Sequence, residues 1–74
     1  MHLGQLQKGQ HARILTIDAD QGVSQRLMAM GLLPDELVEV IQLAPLGDPI
    51  TVVSNGNRIS LRRADAATVL VATS

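Results

Sequence analysis

The order of residues predicts a small, mostly β fold: a barrel of about five short strands, one short helix over about 23–30, and a helical turn before the last strand. Three observations predict it. Short aliphatic runs recur at close spacing, bounded by Gly, Pro, Asn or Asp. Two alternating runs are joined by Asn55-Gly56, a pair that tolerates the positive φ angles of a tight hairpin. One stretch carries apolar residues at helical spacing. Several short strands close together suggest a barrel, because closure removes exposed edges.

Taken in order, Leu3 to Gly9 reads as a helical turn or an irregular lead-in. Gln10 to Ile17 reads as a strand, on the bulk of Ile14, Leu15 and Ile17. Asp18 to Gly22 is a turn in which Asp18 or Asp20 caps the helix that follows. In Val23 to Met30, Val23, Leu27 and Met30 fall at i, i+4 and i+7 and share a face. Gly31 sits where a left-handed terminator is wanted, and Pro34 follows it. So short a helix is unstable alone and is expected to be packed on a sheet.

Leu37 to Leu43 is the second strand, apolar on both alternation classes. Ile50 to Ser54 and Arg58 to Arg62 flank the Asn55-Gly56 turn. Ala64 to Ala67 allows one helical turn, and Val69 to Val71 is the last strand. The expected core is Ile14, Leu27, Met30, Val38, Val40, Ile50, Val52, Ile59, Leu61 and Val69.

The chain has 74 residues, room for one domain over 1–74 with a thin margin of stability. It has no Cys, which removes disulfides, thiolate metal sites and Cys nucleophiles. It has no aromatic residue, and so no stacking platform for bases and no aromatic groove for proline-rich peptides. A net charge of −1 offers no basic footprint for nucleic acid. No apolar stretch approaches the roughly 18 residues that span a membrane, and the N-terminus shows no leader pattern. The expectation is one soluble cytosolic domain that is not itself membrane-inserted and is complete as it stands.

Three runs carry more information. In Ala44-Pro45-Leu46-Gly47-Asp48-Pro49, two Pro residues restrict the backbone on either side of a Gly. The loop should be stiff and aim Leu46 one way, either as a plug in the barrel end or as a preorganised knob for a partner. In Arg26 to Pro34, Leu32 and Leu33 are hard to hide together, and one of them with Leu46 can form an apolar patch. In Ile59 to Ala66, Arg62 and Arg63 face solvent or pair with carboxylates such as Asp65 or Asp48.

Together these runs resemble the signature of the FeoA family: an Arg-Leu helix ending in Met-Gly-Leu before Pro34, the Ala-Pro-Leu-Gly-Asp-Pro loop, and a Leu-Arg strand end before an Ala-containing turn. The resemblance runs from about Gly9 to Val71. It implies an SH3-like β-barrel in the cytosol that associates with the FeoB membrane transporter through its GTP-hydrolysing cytosolic part. The chain departs from the family at Asp35, where Gly is usual; Asp tolerates a left-handed backbone better than most residues.

No metal or cofactor site is expected. His2 and His11 lack helical ligand spacing, and Asp18 and Asp20 belong to a capping turn. No catalytic set is expected either, since Ser24, Ser54, Ser60 and Ser74 have no neighbouring His. The function expected is a non-catalytic adaptor that binds and modulates the transporter through Arg26, Leu32, Leu33, Leu46, Gly47, Asp48 and Arg62. A second class is a metal-responsive regulatory domain, resembling the C-terminal barrel of iron-dependent repressors.

Overall fold

The computed structural model describes residues 1–73; Ser74 lies outside them. A 3₁₀ turn, Leu3–Gln5, precedes β1 (His11–Ile17), α1 (Gln21–Ala29), β2 (Leu37–Leu43), β3 (Ile50–Ser54), β4 (Asn57–Leu61), α2 (Arg63–Ala66) and β5 (Val69–Thr73). The strands form one antiparallel sheet in the order β4-β3-β2-β1-β5.

The sheet is open. The expected SH3-like barrel is not formed, because β4 and β5 are the two ends of the strand order and do not pair. Alternation along the strands separates a core face from an outer face but does not determine whether the two end strands meet. Here the core face is completed by the 3₁₀ turn and the helices. Leu3, Leu6, Leu27, Leu32 and Ala66 are buried beside the strand residues Ile14, Val38, Val40, Ile50, Val52, Ile59, Leu61 and Val69. Each large aliphatic side chain so buried contributes roughly 1.5–3 kcal/mol.

Two irregularities explain strands that do not alternate. In β1 the register against β5 shifts between Ile14 and Thr16, so Leu15 and Thr16 are both exposed before Ile17 turns inward again. In β2 the register against β3 shifts between Val40 and Gln42. One residue inserted opposite a partner strand re-phases everything after it.

The helix α1 begins two residues earlier than the spacing suggests, because Asp20 is the N-cap: its Oδ1 accepts the Val23 N–H at 2.9 Å. Its exit corrects two sequence readings. Met30, expected in the core, is the C-cap residue and is 37% exposed. Leu32, expected at the surface, is fully buried. Gly31, at φ 111°, turns the chain so that Gly31 N–H donates to Met28 O at 3.0 Å and Leu32 N–H to Leu27 O at 3.1 Å. This is the Schellman arrangement, in which the second residue past the cap packs on the helix it has just left. Leu32 joins Leu27 in the core for that reason.

Candidate functional site

The stiff loop is built as one body with α2. Gly47 N–H donates to Ala44 O at 2.7 Å, and Ala44 N–H to Pro49 O at 3.1 Å, so the segment is closed on itself twice. The Asp48–Pro49 peptide is cis. Gly47 sits at φ 81°, a backbone conformation that favours glycine, and a Cβ there would lie 3.1 Å from Arg63 Nη1, so the guanidinium would have to give way slightly. The Arg63 guanidinium donates to Gly47 O at 3.0 Å. The Asp48 carboxylate accepts the Arg63 N–H at 3.0 Å, satisfying one of the donors that a first helical turn leaves open.

The connection continues to α1. Arg26 Nη2 lies 3.1 Å from Asp65 Oδ1, so the bonds run from α1 through α2 to the loop. A partly exposed pair of this kind contributes below about 1 kcal/mol; what it supplies is position. The loop then presents Leu46, which is 96% exposed and plugs nothing within the chain. Beside it, Asp48, Pro49, Ser60, Leu61 and Arg62 line an open groove of about 390 Å³.

Of the surface expected from sequence, the structure joins Arg26, Gly47 and Asp48 by this run of bonds and places Arg62 in the adjoining groove. Leu33 is exposed at the α1 exit, outside that run. Leu32 is not part of any surface. Sequence reasoning missed Pro49 and Ser60 as groove residues; the signal was there, since Arg58, Ser60 and Arg62 alternate with the buried Ile59 and Leu61.

Among the described residues the polar side chains form no converging ligand set. The His11 Nε2 is 3.5 Å from Glu39 Oε1 on the outer face, whereas the His2 Nδ1 is buried beside Gly4 without a hydrogen-bond partner. Among the described residues no three of His, Asp or Glu gather as a metal would need. The Ser60 and Thr51 hydroxyls bond each other at 2.9 Å, and the Ser54 hydroxyl donates to Leu37 O at 3.0 Å. These groups serve the sheet.

A family model for the FeoA domain matches residues 1–73. The chain belongs to the FeoA family. It is 34% identical over 71 residues to an Fe(2+) transport protein A/Fe(2+) transporter FeoB fusion protein of Porphyromonas gingivalis, covering 96% of this chain and 8% of that protein. It therefore spans only a small part of that relative's length. Among solved structures, the FeoA protein of Chlorobium tepidum is 37% identical with a TM-score of 0.91, covering 99% of this chain and 70% of the other. The iron(II) transport protein A of Clostridium thermocellum is 36% identical with a TM-score of 0.93, covering 99% and 45%.

Proposed function

We propose that this FeoA-family chain is a non-catalytic cytosolic accessory protein of ferrous iron uptake. It binds and modulates the GTPase-containing cytosolic part of a FeoB transporter. One observation carries the reading: in the Porphyromonas gingivalis relative a segment like this chain is covalently part of a protein named for both FeoA and FeoB. Fusion converts an association between two partners into an intramolecular one and raises their effective concentration.

The surface is the Leu46 loop with Gly47 and Asp48, Arg62 in the adjoining groove and Arg26 linked to it through Asp65 on α2, with Leu33 as a second exposed apolar residue. Leu46 suits the task because its backbone is already fixed, so it loses little freedom on binding. No bond of the fold depends on its side chain, which stands 96% in solvent.

The experiment compares Leu46→Ser with the parent for thermal stability and for affinity to the transporter's cytosolic GTPase part. Stability should be unchanged within about 0.5 kcal/mol, as for an exposed position. Affinity should fall by about tenfold or more, as for the loss of a central apolar anchor. Unchanged affinity removes Leu46 from the surface.

A further inference from the structure

The two ends of the sheet are treated differently. At β5, the Val71 N–H donates to Met1 O at 2.9 Å, and His2 bridges Leu70, so the edge is covered. Among the described residues, no backbone hydrogen bond covers the edge of β4. Its hairpin with β3 closes on the pair Ser54–Asn57, followed by Val53–Arg58, Val52–Ile59, Thr51–Ser60 and Ile50–Leu61. In an antiparallel ladder that closes on a two-residue turn, bonded pairs alternate with unbonded ones. Asn57, Ile59 and Leu61 therefore face β3, and the N–H and C=O groups of Arg58 and Ser60 point away from the sheet. Both residues are exposed. Arg58 and Ser60 alternate with the buried Ile59 and Leu61 and lie on the outer face, and Arg62, one residue past the strand, lines a groove with Ser60 and with Asp48, whose carboxylate is held by the Arg63 N–H; neither Arg58 nor Arg62 forms an ion pair among the described residues.

We propose that the β4 edge is a docking site for an extended acidic segment of a partner protein, which adds to the sheet as a sixth strand. The four outward backbone groups of Arg58 and Ser60 supply main-chain bonds, and Arg58 and Arg62 set the charge. Charged side chains on an edge ordinarily keep other strands away; an acidic strand turns the same charges into cross-strand pairs. A second copy of this chain is the poorer occupant. Two antiparallel β4 edges centred on Ser60 bring Arg58 opposite Arg62, and centred on Arg58 they bring Arg58 opposite itself. The register centred on Ile59 gathers the Arg58 and Arg62 side chains of both copies on one face. The proposal rests on the reading of the chain as a partner-binding module and names the chemistry of what it binds.

The test uses the isotopically labelled chain and three capped synthetic peptides. One alternates Glu with Val, one alternates Lys with Val, and one is the Glu–Val peptide N-methylated at every second residue. The Glu–Val peptide should shift the Arg58 and Ser60 amides and slow their exchange with solvent. The Lys–Val and N-methylated peptides should bind at least about tenfold more weakly, one for lack of charge pairing and one for lack of backbone donors. The double variant Arg58→Glu/Arg62→Glu should invert the preference between Glu and Lys peptides. Equal binding of the N-methylated peptide, no response at Arg58 and Ser60, or a dimer protecting these two amides without peptide overturns the proposal. The transporter reading is judged apart from it. If the cytosolic GTPase part binds the parent and the single variant Arg58→Glu equally, that reading stands and the edge site falls. If it binds neither while the Glu–Val peptide docks at β4, the reverse holds.

Discussion

Asp35 holds φ at 71° while carrying a Cβ, a conformation that costs an L-residue roughly 1–2 kcal/mol. Its place explains the choice. Glu36 N–H donates to Leu33 O at 3.2 Å, so Leu33-Pro34-Asp35-Glu36 is a turn with Pro second and a positive φ third, a position that favours Gly or Asn. Asp35→Gly relieves the strain and adds freedom to the unfolded chain, so stability should rise by between zero and about 1 kcal/mol. Chemical denaturation reads this directly, and a loss greater than about 1 kcal/mol would mean that the carboxylate is needed. Leu61 belongs to a different class of residue. It is 4% exposed, and Leu61→Ala should cost about 2–5 kcal/mol, a large share of the stability of so small a domain. An unchanged denaturation midpoint would place Leu61 outside the core. Which residues are buried was largely legible at this scale, because alternation around Val38–Val40, Ile50–Val52 and Ile59–Leu61 marks the inner face. Met30 and Leu32 were not. The helical spacing carried Met30 inward by simple continuation, whereas Gly31 had already reversed the chain.

Among the elements, α1 depends most on its ends. With nine residues it is too short to persist alone, and its start rests on the Asp20 carboxylate at the Val23 N–H. Asp20→Ala should destabilise the protein by about 1 kcal/mol and speed exchange of the Val23 amide; exchange unchanged at that amide would refute the cap. Asp20 could be read from sequence as one of two candidates, and only the fold separates it from Asp18. The β3–β4 hairpin was legible because Asn55 and Gly56 both take positive φ, 54° and 77°. The loop from Ala44 to Pro49 was legible as stiff but not as bound. Stiffness follows from Pro and Gly; pairing of Arg63 with Asp48 was one of the alternatives the residues allowed, but the bond is made by the Arg63 backbone N–H while its guanidinium goes to Gly47 O, and no local pattern encodes contacts 15 and 16 positions apart.

For the molecule as a whole, barrel closure was the part of the fold the sequence did not carry. An open sheet and a closed one share the same alternation, turns and strand lengths. The deciding contacts come from the chain's beginning, where Leu3 and Leu6 fill the core and Met1 lies on β5. That last contact has a consequence for tethering. Met1 and Val71 are hydrogen-bonded neighbours, so Thr73 ends roughly 7 Å further along, at about 3.3 Å per residue. A linker of about four residues from Thr73 to Met1 closes the chain into a ring without moving a strand. New ends opened between Lys8 and Gly9, both exposed, then yield a circular permutant. The permutant should keep the far-ultraviolet spectrum and cooperative melting of the parent, with a lowered midpoint from the lost turn. A molten or unfolded permutant would mean that the order in which the chain lays down its first turn governs folding. If it folds, a longer chain can leave this domain from one pole in either direction, and a partner fused before it or behind it hangs from the same corner.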